Sequence, residues 1–426
     1  MNVAEDIRLK EFRQLKKEVR GSKEHLIVGI DIAKKNHRAF FGTATGKTLL
    51  KRLAFENNRD GFEKLLFQTE AFKVQGGLKK VVFGLEPTAN YHKPLGEYLI
   101  KGKHQVVLVS GVAVKRNREL LDGRWDKHDT KDSANVADLI SQGKCLYYDY
   151  PSPALRELRN LLSLKRRLKK QEHGYKARIR NHLLAQYFPE LDRYYGRAEG
   201  LAIVRWCLNP SEIAEMEYDQ FVRLITSRNG GIEQQRRLLM IWEKARESIG
   251  CDGAEAMAFE AKMMVKGLTE IKETIRATEA KIKEICIQFP EYGYLLSIPG
   301  FGPDISSKVL GAIGNPFRFN STQQVLKMAG FDLSANRSGE RSGAAAPVIS
   351  KKGKADLRYA LYQAALIASI KNRNFIVYYT SKLKGREREK GIKIKMRVKL
   401  AAKFLIIAWT LMKKKEPFNP DYLKID

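Results

Sequence analysis

The sequence contains few cysteines and has far fewer acidic than basic residues. The four cysteines are scattered, with no Cys-x-x-Cys pair, which argues against a zinc site and a disulfide framework and fits a reducing cytoplasm. Only 48 Asp and Glu oppose 78 Lys and Arg, so the formal net charge is +30. A surplus of this size predicts a polyanionic partner, with nucleic acid ahead of an anionic membrane surface.

Long apolar runs are also missing. The longest lies near residues 400–412, where Lys403 interrupts it, and it is shorter than the roughly 20 residues needed to span a bilayer. The N-terminal stretch is charged throughout, unlike a secretory signal. Because 43% of the residues are hydrophobic, the chain can still bury proper cores, and its 426 residues predict two or three domains.

After a charged leader over residues 1–25, the sequence predicts an α/β domain over residues 26–150. The apolar, β-branched run at 26–33 has the composition of a buried central strand. Further predicted strands cover 38–43, 47–55, 79–86 and 105–110, and predicted helices cover 58–72, 91–101, 111–121 and 128–142. The pattern is a three-strand meander followed by helical crossovers.

Residues 151–290 predict a helical arm. Apolar spacing is helical over 153–187 and 255–287, and the second stretch carries a heptad seam of about two and a half repeats. The seam residues are Leu268, Ile271, Ile275, Thr278, Ile282 and Ile285. The two long helices could pair as an antiparallel coiled coil, although so short a seam also suits an ordinary bundle helix. Residues 190–254 form a mostly helical insertion.

Residues 291–426 predict a mostly α-helical C-terminal domain with a basic tail. Gly300 and Gly302 predict a helix-hairpin-helix-like turn, which either grips a phosphate or simply connects two helices. Residues 351–415 carry 19 Lys and Arg but three Asp and Glu, a surplus above half of the chain's net charge. We interpret this segment as the main contact surface for a nucleic-acid backbone. The contacts expected besides the two glycines are Arg337, Arg341, Lys351, Lys352, Lys354 and Arg358.

Four carboxylates stand out by their positions. Asp31 lies inside the apolar run 26–33, where an unpaired charge is costly, and Glu86 ends the strand 79–86. Asp129 and Asp132 are three residues apart on one predicted helix and so share a face. If the first and fourth strands are neighbours, these acids converge. Converging carboxylates repel one another unless a divalent cation such as Mg²⁺ joins them, and two such ions can clamp a phosphoryl displacement.

Each acid also has a simpler interpretation. Asp31 could cap a turn, and Glu86, which precedes a proline, could merely end a strand. Asp129 could be a helix N-cap, and Asp132 a solvated residue favoured by the helix dipole. The strand order in which the four acids occur, rather than any one of them, makes the set specific.

The order β-β-β-α-β-α-β-α with acids at these points resembles the RNase H/RuvC-like nuclease fold. The motifs GIDIAKKNH (29–37), GLEPTANYH (84–92) and KHDTKDSANVADL (127–139) resemble the DEDD transposases of the insertion sequence one-ten family, related to the Piv DNA invertase. The stretches SIPGFGPDISSKVLGAIG, FRFNSTQQVLKMAGF, SGERSG and ISKKGKADLRYALYQAA resemble the second conserved domain of that family. The likeness covers roughly residues 26–150 and 290–410. The sequence DLSAN (332–336) departs from the family pattern, in which many members carry a proline at this point.

The resemblance implies a catalytic site and partners. The DEDD carboxylates fall on Asp31, Glu86, Asp129 and Asp132, which would hold Mg²⁺. The catalytic serine of the family, eight residues after Gly330, falls on Ser338, which would attack DNA phosphate and form a phosphoserine link. Members are guided by a structured non-coding RNA from their own element that pairs with donor and target DNA. Two duplexes and four strand cuts predict a homodimer or tetramer on DNA, in the bacterial or archaeal cytoplasm at the nucleoid.

Three other functions compete with a recombinase. A metal-dependent RuvC-like nuclease, such as a junction resolvase, would use the same carboxylates for hydrolysis without the serine. A non-enzymatic nucleic-acid-binding protein with a decayed nuclease fold is disfavoured by the intact tetrad. An actin-like ATPase is disfavoured because GTATGK (42–47) is one residue short of the P-loop spacing.

Overall fold

The computed structural model describes residues 3–122, 129–206, 208–226, 230–334 and 348–423. The chain divides into two compact units, residues 1–152 (unit 1) and 153–426 (unit 2). The helices of the described ranges include none that is long and apolar enough to cross a bilayer.

Unit 1 is built on one mixed sheet flanked by helices. Its elements, in chain order, are α1 (Val3–Glu18), β1 (His25–Asp31), β2 (Asn36–Thr43), β3 (Thr48–Glu56), α2 (Arg59–Gln75), β4 (Lys80–Leu85), α3 (His92–Lys101), β5 (Gln105–Leu108), α4 (Gly111–Asp122), α5 (Asp129–Ser141) and β6 (Leu146–Tyr147). The predicted meander and the alternation that follows it are confirmed. Strand β6 was not predicted, because two residues carry no periodicity.

The sheet has the strand order β3-β2-β1-β4-β5-β6. Strands β1, β2 and β3 form the antiparallel meander, β4 and β5 run parallel to β1, and β6 returns antiparallel to β5. The predicted pairing of the first and fourth strands is therefore present, with Ile30 opposite Leu85.

Alternate residues of β1 enter two different cores. Leu26, Val28 and Ile30 pack on the face that α2 and α3 cover. Ile27 packs on the opposite face, with residues of α1, α4 and α5. This period of two is the normal alternation of strand side chains, so Gly29 and Asp31 share the α5 face with Ile27.

Two glycines let α5 approach that face closely. Gly29 and Gly84 are directly opposite each other in β1 and β4. A Cβ atom on Gly29 would overlap the Ser133 carbonyl oxygen and lie 2.6 Å from the Ala137 nitrogen. A Cβ atom on Gly84 would overlap the Ile140 side chain. Glycine at both positions therefore provides the flat floor on which α5 lies.

Unit 2 is mostly helical. Its helices are α6 (Pro153–Arg178), α7 (Ala185–Tyr187), α8 (Ala198–Trp206), α9 (Pro210–Glu215), α10 (Tyr218–Ile225), α11 (Ile232–Arg246), α12 (Glu255–Ile287), α13 (Pro290–Leu296), α14 (Pro303–Ile313), α15 (Thr322–Ala329), α16 (Ala355–Lys371), α17 (Arg373–Leu383) and α18 (Ile392–Lys414). A π-helical turn (Ile179–Leu184) continues α6, and 3₁₀ turns cover Pro189–Arg193, Pro316–Arg318 and Pro420–Tyr422. A short ladder joins β7 (Leu333–Ser334) to β8 (Val348–Ile349).

The long helices α6 and α12 lie antiparallel. Lys165 pairs with Glu279 near one end, and Arg178 pairs with Glu260 nearer the other. All the predicted seam residues of α12 are buried except Ile271, which is partly buried. Whether the pair is a true coiled coil or an ordinary pair of bundle helices stays a prediction. Part of the insertion 190–254 forms a hydrophobic core with the C-terminal end of α6 and the N-terminal half of α12. This core is separate from the main core of α13–α18.

The predicted helix-hairpin-helix-like turn lies between α13 and α14. Gly300 has φ +88°, which favours glycine, and a Cβ atom there would lie 2.7 Å from the Ala364 carbonyl oxygen of α16. Gly302 is the N-cap of α14, and Asp304 occupies its first turn. The turn therefore packs inward against α16, and a carboxylate already lies beside the helix N-terminus. The phosphate role of the two glycines stays a prediction.

Candidate active site

Three of the predicted carboxylates line one cavity of unit 1, which has a volume of about 530 Å³. Asp31 ends β1, Glu86 directly follows β4, and Asp132 lies in the first turn of α5. The remaining lining residues are Ile32, Ala33, Asn36, Arg38, Thr88, Gly111 and Lys115.

The sheet places Asp31 and Glu86 at one edge. Ile30 pairs with Leu85, and the Glu86 amide donates a 3.4 Å hydrogen bond to the Ile30 carbonyl oxygen. The next residue of each strand is the acid, and by strand alternation both acids lie on the α5 face. Both are half-buried. The carboxyl ends of parallel strands are where sites of α/β sheets gather.

Glu86 also adjoins the beginning of α4. A Cβ atom on Gly111, the first residue of that helix, would lie 2.7 Å from Glu86 Oε1. Any side chain at residue 111 would therefore displace the carboxylate. The partial positive charge at the N-terminus of a helix favours a carboxylate in this place.

Asp132 is only 4% exposed, so α5 carries it into the interior of the unit. The short distance between α5 and the sheet depends on Gly29 and Gly84, as described above. Asp129 is the first residue of the same helix, but its side chain lies outside the described part of the chain. Its predicted role as a fourth carboxylate stays a prediction.

The donor set has the chemistry that a divalent cation requires. Carboxylate oxygens are the ligands that Mg²⁺ prefers, and the cavity has room for the ion with water. Among the described side chains, however, no three His, Cys, Asp or Glu lie close enough together to enclose a metal ion. Asp31, Glu86 and Asp132 would have to converge further on an ion, or Asp129 would have to complete the set.

The C-terminal candidates lie in unit 2, and three of them, Arg337, Ser338 and Arg341, lie outside the described residues. Lys351, Lys352 and Lys354 are exposed between β8 and α16. Arg358 donates from Nη1 to the Ala329 carbonyl oxygen at 2.9 Å, so it supports the end of α15. Three exposed lysines within four residues are suited to contact with a nucleic-acid backbone. The Arg358 side chain, in contrast, already makes a hydrogen bond within the protein.

Four residues of the site were not predicted from the sequence: Gly29 and Gly84 beneath α5, and the basic lining residues Arg38 and Lys115. A local signal for the glycines exists, because each precedes an acid by two residues, in GID (29–31) and GLE (84–86). Arg38 and Lys115 have no such signal. They lie on separate elements, β2 and α4, and only the folded sheet brings them to the cavity.

Two parts of the chain resemble known protein families. Residues 28–189 match the DEDD transposase model of the IS110 family, and residues 292–380 match the model of the transposase IS116/IS110/IS902 family. Two segments of the chain therefore resemble transposase domains of the IS110 family. A relative from Streptomyces coelicolor, named an uncharacterised 43.6 kDa protein of insertion element IS110, is 25% identical over 352 residues. The match covers 80% of this chain and 83% of the relative.

These matches support transposase function, which in general terms means DNA binding, cleavage and rejoining. A DEDD transposase domain also implies a divalent metal, and the three carboxylates of the cavity belong to that domain.

DNA affinity should fall steeply with salt, because binding of the basic surface releases counterions from the DNA phosphates. Between about 50 and 200 mM salt we expect a loss of about 10³-fold or more, measured by fluorescence anisotropy on duplex DNA. Changing Lys351 and Lys352 to alanine should reduce the slope of log affinity against log salt by about 2. A charge-matched control changes the exposed Lys51 and Arg52 of β3 to alanine. Equal slopes for both variants, or an affinity independent of salt, would contradict the prediction.

Proposed function

We propose that the chain is the transposase of a mobile insertion sequence, a site-specific recombinase that cuts and rejoins DNA strands through a phosphoserine intermediate. The observation that carries the proposal is that Asp31, Glu86 and Asp132 line one cavity, in a chain that also matches the second transposase family model. Asp129 would be the fourth carboxylate and Ser338 the nucleophile.

The carboxylates would act as a binding site for Mg²⁺. When bound, the ion would neutralise charge on the phosphate and polarise it toward attack. Arg38 and Lys115 line the same cavity and would add positive charge beside a DNA phosphate. A serine hydroxyl is a weak nucleophile at its ordinary pKa, so it gains from such a polarised phosphate.

The serine step conserves the energy of the phosphodiester bond in a phosphoserine ester. Ser338 Oγ would form a bond to phosphorus while the bond to one ester oxygen breaks, and that oxygen would leave as a DNA hydroxyl with the serine proton. Attack by a DNA hydroxyl on the phosphoserine would then release the serine and rejoin a strand. Hydrolysis would instead release that energy by transferring the phosphate to water, and a hydrolysed strand end is less suited to rejoining.

The partners we propose are donor and target DNA and a structured guide RNA from the element, which pairs with both DNAs. A homodimer or tetramer on DNA, acting in the cytoplasm at the nucleoid, completes the proposal. Its support is the net charge of +30, the lysines ahead of α16 and the family likeness.

A hydrolytic RuvC-like nuclease is the second candidate. The observation that favours it is that the described cavity already contains the acids that metal-dependent hydrolysis needs. The two candidates share the carboxylates and differ in the need for Ser338.

Carboxylate variants test what both candidates share. We expect Asp31→Asn and Glu86→Gln each to lower cleavage of labelled element-end DNA, with Mg²⁺ and the flanking non-coding RNA, by about 10²-fold or more. The DNA affinity of each variant should stay within about twofold of the wild type, because the amide replacements have the shape of the acids and leave the ends of β1 and β4 unchanged. Asp138→Asn is the matched control, since Asp138 lies on α5 and bonds Asn117 and Gln142 away from the cavity. Undiminished cleavage by either cavity variant would refute the site.

A further inference from the structure

Unit 2 contains a groove between α6, α14 and the beginning of α16, with a volume of about 740 Å³. The groove lies wholly within unit 2 and shares no residue with the carboxylate cavity of unit 1. Among its lining residues are six Lys and Arg (Arg159, Lys165, Arg166, Lys169, Lys308 and Lys354) and three acids (Glu279, Asp304 and Asp356).

The floor of the groove is a fixed ion-pair network. Lys165, 9% exposed, places Nζ 2.6 Å from Asp304 Oδ1 and 2.7 Å from Glu279 Oε1. Lys308 holds the other oxygen of Asp304 at 2.7 Å. Burial opposes the charged form of Lys165, but its two carboxylate partners prevail and raise its pKa. The four charges of the floor balance one another and hold α6, α12 and α14 in place.

The rim carries the excess positive charge. The exposed Arg166, Lys169 and Lys354 line the groove, whereas Arg159 is half-buried and donates from Nε to the Gly311 carbonyl oxygen at 2.7 Å. Two acids adjoin these cations, because Asp356 also lines the groove and Glu172 pairs with Lys169 at 3.0 Å. Arg166 pairs with Asp356 at 3.2 Å, but both side chains are more than half exposed. An exposed pair of this kind contributes little to stability, so Arg166 can exchange Asp356 for a phosphate at small cost.

The groove also has apolar lining residues and one large exposed aromatic ring. The apolar lining includes Leu162, Gly311, Ala312 and Leu357, and Tyr359 lines the groove with 65% of its surface exposed. A large exposed ring beside a basic rim is the combination that single-strand binding proteins use, because bases stack on the ring while cations follow the phosphates.

We propose that this groove binds a single strand of nucleic acid, with one unpaired base stacked on Tyr359 and the adjoining phosphates held by Arg166, Lys169 and Lys354. A duplex is the poorer fit, because its paired bases are stacked on one another and cannot reach an isolated ring. A strand fits better than a free nucleotide, because the exposed Lys351 and Lys352 continue the positive charge beyond the groove.

The stacking contact is tested with labelled oligothymidylate of about a dozen nucleotides, bound to the full chain in fluorescence anisotropy at near-physiological salt. We expect Tyr359→Ala to weaken binding about tenfold and Tyr359→Phe to change it by less than about twofold. Two control ligands lack an unpaired base: an abasic strand of equal length and a duplex. Each should bind the wild type and Tyr359→Ala with equal affinity. The exposure of Tyr359 makes both variants safe for folding.

The phosphate contact has a charge-matched control on the same helix. Changing Arg166 and Lys169 to alanine should weaken single-strand binding about tenfold, whereas changing Arg167 and Lys170, which do not line the groove, should cost less than about threefold. Thymidine monophosphate should not compete at concentrations at which the strand does.

The proposal is overturned if Tyr359→Ala keeps wild-type affinity, if it weakens the abasic strand as much, or if the two charge variants lose equal affinity. Efficient competition by the mononucleotide would overturn the strand as the occupant. Because the assay measures binding alone, its outcome is independent of the cleavage chemistry proposed for unit 1.

Discussion

Replacing Ser338 by alanine should abolish a covalent protein–DNA adduct that the wild-type chain forms on element-end DNA. The expected chemistry requires an oxygen nucleophile at this residue, and alanine has none. The measurement is a denaturing gel of labelled DNA after incubation with Mg²⁺ and the flanking non-coding RNAs, with and without protease. The wild type should give a slowly migrating, protease-sensitive band, and Ser338→Ala should give neither this band nor free cleaved ends.

Two matched variants make that result decisive. Ser350→Ala removes another serine of the same part of the sequence, and this variant should keep the adduct. Ser350 Oγ donates a 2.5 Å hydrogen bond to Asp332 Oδ1. Asp31→Ala should lose both adduct and cleavage, because it removes a cavity carboxylate. If Ser338→Ala still produced free cleaved ends, the hydrolytic nuclease would replace the recombinase as the function.

The second large effect is expected at a residue that has no chemistry of its own. Gly29→Ala should reduce strand cleavage by about 10²-fold or more, although it leaves every carboxylate in the chain. Its Cβ atom would meet the backbone of α5 at Ser133 and Ala137, so the helix must move away from β1. Asp132 moves with the helix, and a displacement of about 1 Å in a catalytic group can cost 10²-fold in rate.

The partner glycine provides the internal comparison. A Cβ atom on Gly84 meets mainly the Ile140 side chain, whose terminal methyl can be removed. Gly84→Ala alone should also reduce cleavage, and the second change Ile140→Val should restore most of that loss. No side-chain change should rescue Gly29→Ala, because its Cβ atom meets backbone atoms. Gly174→Ala, at a helical glycine with open space around it, should cost no activity and should raise thermal stability slightly.

Circular dichroism and thermal melts separate this positioning effect from unfolding. Overpacking of one methyl group typically costs about 1–3 kcal/mol, which a folded domain can tolerate. We expect Gly29→Ala to remain folded with a lowered melting temperature and with DNA affinity near that of the wild type. Wild-type cleavage by Gly29→Ala would show that the distance between α5 and β1 does not matter to the reaction.

Much of unit 1 could be predicted from local patterns. The apolar run before Asp31, the strand that ends at Glu86 and the three-residue spacing of Asp129 and Asp132 are properties of short stretches. Strand ends and helix faces follow from such stretches alone, so the order of elements was predictable. The mixed sheet followed by a mostly helical remainder is likewise confirmed. The assignment of Ser338 depends on family likeness, and it stays a prediction.

Which distant residues meet depends on the packing of the folded chain. Gly29 and Gly84 acquire a purpose only when β1 and β4 pair and α5 packs across them, and Lys115 reaches the cavity only through the position of α4. In unit 2, Arg166 and Asp356 are 190 residues apart in sequence and yet share one groove. Periodicity describes the face of one element at a time, whereas a cavity or a groove is a gap between several elements. Its lining is therefore determined by their packing.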